Sequence, residues 1–135
     1  FTTNPDPSGD MLSSVRCGLR EVPAAPEGIL VAPGDQPAIR GEVIARMVED
    51  FRRQKNGIVV PTCDGERGHP LLFEGRYRDE VLERFDDVGL RGLMRAHPDD
   101  VRELETGDPS VLSDMDCPED YRRELARYQE GGKAE

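Results

Sequence analysis

Two acidic segments carry the residues best suited to chemistry. Asp35 lies in the segment GDQP, which follows an apolar run at residues 28–32, and Asp116 lies in the segment DMDCPED. In open α/β sheets, ligands bind at the carboxyl ends of the strands, and Mg²⁺ prefers carboxylate oxygens together with substrate phosphates. If a strand ends here, Asp114 and Asp116 point to the same side, where a cation would relieve their repulsion. Asp35 and Asp116 therefore predict a metal–nucleotide site.

Each acidic segment also has a simpler interpretation. Asp35 is suited to cap a helix that begins near Pro37, a residue favoured at the first helical position. Glu119 and Asp120 suit the positive end of a helix dipole. Gly34 permits a tight turn or a positive φ before Asp35. Local spacing leaves metal binding and capping open for Asp35.

The segment GERGHP, residues 65–70, is a second candidate. Such a loop can bring backbone N–H groups and the guanidinium of Arg67 to an anion, and His69 could donate a hydrogen bond to a substrate. Gly68 separates these two side chains. The alternative interpretation is a surface hairpin or crossover loop. His97 precedes a proline at a helix end, and we assign it no role.

The segment from Gly9 to Val15 is a third candidate, because small polar residues at a helix start offer N–H and hydroxyl groups to a ligand. The segment contains two such hydroxyls, those of Ser13 and Ser14. Taken alone, the segment favours an ordinary helix cap by Asp10 or Ser13.

Composition excludes several classes of function. The chain has 135 residues, enough for one domain, and a net charge of −10, which argues against non-specific binding to nucleic acid or to an anionic membrane. Aromatic content of 5% gives no support for base stacking. The cysteines are odd in number and far apart, which is typical of free thiols in a reducing cytoplasm. Without a CxxC pair or clustered histidines, a zinc site is not expected.

Apolar patterning predicts the elements that position these residues. Continuous apolar runs predict buried strands at 28–32 and 58–61, and helical periodicity predicts helices at 11–22 and from Pro37 to about residue 55. Strand, helix and strand in this spacing form a βαβ unit. Further elements are expected in the following ranges: a short apolar piece at 71–73, helices at 78–85 and 90–96, strands at 101–104 and from 111 to the Asp114–Asp116 pair, a helix from Pro118 with an apolar face of Tyr121, Leu125 and Tyr128, and a frayed tail at 131–135.

Four blocks in this order resemble the MobA-like nucleotidyltransferase family, and most closely its molybdenum cofactor cytidylyltransferase branch. The blocks are GDMLSSVRCGL at Gly9–Leu19, GDQP at Gly34–Pro37, GERGHPLLF at Gly65–Phe73 and DMDCPEDY at Asp114–Tyr121. The resemblance implies an α/β fold, a Rossmann-like three-layer α/β/α sandwich with a mostly parallel sheet. Residues 1–130 would form the C-terminal part of one domain.

The same resemblance implies a function. A nucleotidyl group, with cytidylyl favoured, would pass from an NTP such as CTP to a phosphate-bearing acceptor such as molybdopterin, releasing pyrophosphate. Asp35 and Asp116 would hold Mg²⁺. Ser14 and Gly9 would help to hold the nucleotide, and Gly68 and His69 would line the acceptor side.

The sequence departs from the family pattern in two places. Cys117 stands where the family usually has Thr, and the lost capping hydroxyl costs about 1 kcal/mol. The strand and glycine-rich loop with which the family begins do not occur in the printed sequence, so we expect an N-terminally truncated domain that is inactive alone. Two alternatives stay open: a non-catalytic nucleotide-binding or interaction module, and a sugar-phosphate or terpenoid-precursor nucleotidyltransferase of the same fold.

Overall fold

The computed structural model describes residues 1–24, 26–54, 57–113 and 117–131. Asp114 and Asp116 therefore lie outside the described residues, as do residues 132–135 of the expected tail. The elements, in chain order, are α1 (Met11–Glu21), β1 (Gly28–Val31), α2 (Gly41–Gln54), β2 (Ile58–Cys63), β3 (Glu66–Arg67), β4 (Leu71–Glu74), α3 (Arg78–Glu83), α4 (Arg91–Ala96), β5 (Val101–Glu105) and α5 (Pro118–Gly131), with 3₁₀ helices at Gly75–Tyr77, Pro98–Asp100 and Pro109–Leu112.

The sheet has β2 at its centre. Its parallel neighbour β5 is in register from Ile58 opposite Val101 to Thr62 opposite Glu105. On the other side lies β4, which is antiparallel to β2 and to β1, with Val31 opposite Leu71. β1, β2 and β5 therefore run in one direction, and their carboxyl ends meet at one edge of the sheet. We call this the carboxyl edge and the opposite one the amino edge.

Helices cover both faces of the sheet, which confirms the expected three-layer α/β/α arrangement. One core lies between the sheet and the helices α1, α3 and α4, and the other between the sheet, α2 and the 3₁₀ helix Pro109–Leu112. The first core contains Leu12, Leu19, Ile29, Ile58, Val60, Leu71, Phe73, Tyr77, Val81 and Leu93. The second contains Val43, Met47, Phe51, Val59, Cys63, Leu72 and Val111.

Local sequence explains most of these elements. The apolar run of β2 is buried at all six positions, and α2 buries the predicted stripe through Val43, Met47 and Phe51. The start of α2 was wrong in the sequence prediction, because the helix begins at Gly41 rather than near Pro37. The intervening backbone forms a turn in which the amide of Ile39 donates to the carbonyl of Gln36 at 3.4 Å.

One prediction for the C-terminal region also needs correction. The segment from Val111 is not a strand: it belongs to a 3₁₀ helix whose first turn is capped by Asp108, which accepts from the amide of Ser110 at 2.9 Å. α5 begins at Pro118 as predicted, but its apolar face stays exposed, with 54% of Tyr121 and 81% of Tyr128 accessible. None of the described helices is long and apolar enough to cross a membrane.

α1 and α3 cap each other through two arginines. Arg16 of α1 donates to the carbonyls of Val81 at 3.0 Å and Arg84 at 2.6 Å. Arg78 of α3 donates to the carbonyl of Leu19 at 3.0 Å. The last carbonyls of a helix have no partner within it, so each arginine satisfies groups at the end of the other helix.

Candidate functional site

A groove of about 610 Å³ opens at the carboxyl edge. One wall is the start of α1, at Asp10 and Met11, and the floor is formed by Val60 and Leu71 of the sheet. The opposite walls come from the residues 67–69 and from residues 86–95, which include α4. Sheet and helices therefore build a concave surface at the edge where α/β folds bind ligands.

Asp35 lies at the same edge, in the turn after β1. Because Val31 pairs with Leu71, Asp35 and His69 both lie just past that register position. The Asp35 side chain is exposed, and α2 begins too far along the chain for Asp35 to cap it. Asp35 is not among the residues that line the groove. Gly34 lies in this turn without a positive φ, which is the first of the two conformations that the sequence left open.

The start of α1 confirms the capping interpretation of the segment from Gly9 to Val15. Asp10 accepts from the amide of Ser13 at 2.9 Å. The side-chain amide of Asn4 donates to Ser13 at 2.8 Å and to Ser14 at 3.2 Å. A Cβ at Gly9 would lie 2.3 Å from the Ser13 hydroxyl oxygen. Gly9 therefore permits this network, and Ser14 presents its hydroxyl from an exposed position.

The GERGHP segment is a hairpin, as its alternative interpretation predicted, since β3 pairs with the end of β2. Arg67 does not stand free for an anion: its Nε donates to the carboxylate of Glu103 on β5 at 2.7 Å. A Cβ at Gly68 would lie 2.2 Å from the carbonyl oxygen of Val111, so glycine allows the 3₁₀ helix to approach. His69 lines the groove, and its backbone amide donates to the same carbonyl at 2.9 Å.

A cluster of Cys63, Asp64 and Glu105 also lies at the carboxyl edge, with potential ligand atoms within 4.8 Å of one another. Glu105 accepts from the hydroxyl of Thr62 at 2.6 Å and the amide of Asp64 at 2.9 Å, and these bonds lower its pKa. Burial, followed by the negative charge of Asp64, raises the pKa of the Cys63 thiol. Since Glu105 already accepts hydrogen bonds from four donors around the hairpin, the cluster is better explained as support for the hairpin.

Two groove residues, Arg91 and Arg95, were missed by sequence reasoning. Both are exposed on α4 and line the groove. The signal available in the sequence was a pair of like charges four residues apart in a predicted helix, a spacing that places both on one helix face. Of the site residues predicted from the sequence, the groove brings Arg67, Gly68 and His69 together, Asp35 lies at the same edge, and Asp116 lies outside the described residues.

The family model for the MobA-like NTP transferase domain matches residues 1–101. Three of the four blocks noted in the sequence fall inside this range, and the DMDCPEDY block lies beyond it. No curated protein sequence shows a significant match.

Solved structures with similar folds include Rv0371c from Mycobacterium tuberculosis H37Rv, which is 30% identical with a TM-score of 0.71; the match covers 85% of this chain and 59% of that one. A second structure of that protein is a complex with manganese, with 30% identity, a TM-score of 0.67 and coverage of 82% and 57%. The 4-diphosphocytidyl-2C-methyl-D-erythritol synthase of Anaerococcus prevotii DSM 20548 is 17% identical with a TM-score of 0.69, covering 90% and 65%, which is a likeness of fold. The chain thus spans less than two thirds of the length of these proteins.

Proposed function

We infer a function from one premise: the chain belongs to the MobA-like NTP transferase domain family. We propose that it is part of an enzyme that transfers a nucleotidyl group from an NTP to a phosphate-bearing acceptor and releases pyrophosphate. The observation that carries this proposal is the exposed carboxylate of Asp35 at the carboxyl edge, beside a groove of substrate size.

Asp35 fits a divalent cation. Its carboxylate is exposed and forms no hydrogen bond or ion pair within the described residues, which leaves its oxygens available to a hard cation. The carboxylate of Glu105, by contrast, is engaged by four donors. We propose Mg²⁺ as the ion, with Asp116 as the second ligand. The manganese complex of Rv0371c supports a divalent cation in this family.

The reaction needs little from side chains beyond positioning. An anionic phosphate oxygen of the acceptor attacks the α-phosphorus of the NTP in line, the new P–O bond forms, and the bond to the β-phosphate breaks to release pyrophosphate. No general base is required, because the attacking oxygen is already deprotonated. A bound Mg²⁺ supplies charge neutralisation on the phosphates. Ser14 and Gly9 are proposed on the nucleotide side, with Gly34 in the turn before Asp35.

Within this class, the blocks GERGHP and DMDCPED favour cytidylyl transfer from CTP to molybdopterin, with Arg67, Gly68 and His69 on the acceptor side. A sugar-phosphate nucleotidyltransferase and a non-catalytic nucleotide-binding module are the alternatives. The free thiols of Cys17, Cys63 and Cys117 support a reducing compartment such as the cytoplasm.

The test compares Asp35→Asn with Glu105→Gln in the full-length protein. Pyrophosphate release with Mg²⁺ should fall at least about 100-fold in Asp35→Asn, because the lost ligand removes several kcal/mol of charge stabilisation. It should stay near wild type in Glu105→Gln, which removes a carboxylate charge at the same edge. Circular dichroism checks that both variants fold.

Normal turnover by Asp35→Asn would overturn the metal assignment. Parallel assays with CTP or GTP and with pterin or sugar-phosphate acceptors identify the substrates. Binding of an NTP without turnover by any acceptor would favour the non-catalytic module.

A further inference from the structure

Arg91 and Arg95 form a cationic wall of the groove. Residues four apart lie on one helix face, and both side chains are exposed and line the groove. Neither forms an ion pair or hydrogen bond with another described residue, although most described arginines do. The arginines in ion pairs are Arg16, Arg40, Arg52, Arg53, Arg67, Arg76, Arg78, Arg84, Arg102, Arg122, Arg123 and Arg127.

Arg91 and Arg95 differ from the other arginine pairs at this spacing, Arg16/Arg20 in α1 and Arg123/Arg127 in α5, in which at least one member forms an ion pair. Like charges four residues apart destabilise a helix, and opposite charges stabilise it. Elsewhere the spacing is used favourably, as in the ion pairs of Arg53 with Glu49 and Arg84 with Glu80. In a chain of net charge −10, many acidic residues are available to pair with a cation. Two neighbouring unpaired guanidinium groups therefore indicate a ligand that supplies the missing negative charge.

The backbone that carries these arginines is firmly held. Leu93 of α4 is completely buried, and a Cβ at Gly92 would lie 2.4 Å from the ring of Phe85, so the helix packs closely on the preceding loop. That loop is tied to α1 by Arg16, whose guanidinium contacts Asp86 at 2.5 Å. Such preorganisation lowers the entropic cost of binding.

The other charges of the groove are largely engaged. Asp10 caps α1, Asp86 pairs with Arg16, and Arg67 pairs with Glu103. Asp87 is the remaining acidic residue of the lining. Arg91 and Arg95 thus carry two unpaired positive charges, against one acidic side chain of the lining that has no hydrogen-bond or ion-pair partner among the described residues, which leaves the α4 side of the groove positive.

We propose that Arg91 and Arg95 bind a phosphate monoester group of the acceptor. The assignment to the acceptor rests on the proposed function. Guanidinium groups match phosphate geometry and form charge-assisted hydrogen bonds with it. Asp35 does not line the groove, so this subsite is distinct from the residue proposed to hold the cation.

The test is a titration of the full protein with phenyl phosphate, without NTP or metal. Binding is monitored by NMR through the arginine side-chain N–H signals. Wild type should bind, and the double variant Arg91→Gln/Arg95→Gln should bind at least about tenfold more weakly, since two charge-assisted contacts are lost. The matched control is Arg20→Gln/Arg122→Gln, which removes two charges outside the groove and should bind within about twofold of wild type. The single variant Arg95→Gln serves if the double variant does not fold.

A second arm separates the acceptor from the nucleotide as the source of the phosphate. With a saturating non-hydrolysable CTP analogue and Mg²⁺ present, phenyl phosphate should still bind; competitive displacement would assign the arginines to the triphosphate and overturn the proposal. Equal binding by the double variant and wild type, or no binding by wild type, would also overturn it. Asp35→Asn should leave phenyl phosphate affinity unchanged, so failure of the cation assignment and failure of this subsite are distinguishable.

Discussion

The two edges of the sheet use charge in opposite ways. At the amino edge, Asp100 accepts hydrogen bonds from the amide of Gly57 at 3.0 Å, from Arg76 at 2.6 Å and from the hydroxyl of Tyr77. At the carboxyl edge, Asp35, Arg91 and Arg95 have no partner among the described residues. At the amino edge, hydrogen bonds between these groups satisfy their donors and acceptors and so stabilise the fold. At the carboxyl edge, the charges remain available to a ligand. The comparison separates residues that hold the sheet together from residues whose charges have no partner among the described residues.

The hydrogen-bond network at the amino edge shifts the pKa values of two of its members, Tyr77 and Asp100. Burial, helped by the hydrogen bond to Asp100, raises the pKa of Tyr77 to about 12. Burial also acts to raise the pKa of Asp100, but the hydrogen bonds from Tyr77 and Gly57 and the charge of Arg76 outweigh it and keep that pKa below its ordinary value. The folded state therefore favours a neutral tyrosine beside an ionised aspartate.

The largest expected effect on stability follows from removal of the Asp100 carboxylate. Asp100→Ala should lower the free energy of unfolding by about 3 kcal/mol, because it leaves the amide of Gly57 and the buried hydroxyl of Tyr77 without their acceptor and removes one of the two acidic partners of Arg76. Asp99→Ala is the matched control, since its neighbouring carboxylate is exposed, and should cost less than about 0.5 kcal/mol. Urea denaturation measures both. Equal costs for the two variants would contradict the structural role of the amino edge, and phenyl phosphate affinity should change in neither.

The second prediction tests whether packing at the carboxyl edge requires a glycine at position 68. Gly68→Ala should cost about 2 kcal/mol, because its Cβ would clash with the Val111 carbonyl and displace the 3₁₀ helix. Gly34→Ala should be nearly neutral for stability, since a Cβ there meets open space. Thermal unfolding compares the pair. A stable Gly68→Ala protein would mean that the 3₁₀ helix is not packed as described.

The smallest effect concerns Tyr77→Phe, which should cost about 1 kcal/mol at neutral pH through the lost hydrogen bond. Wild-type stability should also fall from pH 10 towards about 12, because the unfolded chain deprotonates at the ordinary tyrosine pKa of 10 before the folded protein does. The contribution is complete below pH 10 and lost as the pH rises through the folded value. Tyr77→Phe should lack this part of the alkaline slope in urea denaturation. An identical slope in both proteins would show that Tyr77 does not titrate as described.

Sequence reasoning predicted the elements whose signal is local. α1, β1 and β2 follow from helical periodicity and from apolar runs, and the family resemblance supplied the three-layer fold. The position of β4 between β1 and β2 could not be predicted, because pairing of Leu71 with Val31 joins residues far apart in sequence. The start of α2 was misplaced because Pro37 favours a first helical turn and equally suits the turn that it occupies.

Sequence reasoning found only those parts of the candidate site whose signal is local. Asp35 was found from its position after an apolar run, a local feature. The role of Gly68 was not, since only the folded chain brings Val111 against it. Arg91 and Arg95 were not singled out from the sequence, because their spacing alone does not distinguish the wall of a groove from a solvated helix face.

The reciprocal arginine caps between α1 and α3 have a consequence for motion. Neither helix end can open without exposing carbonyl groups of its neighbour, because Arg16 and Arg78 each satisfy the other helix. The two helices should therefore unfold locally as one cooperative unit, with similar hydrogen-exchange protection at both ends. Since α1 and the loop after α3 form two walls of the groove, any fluctuation that widens it must move them in concert.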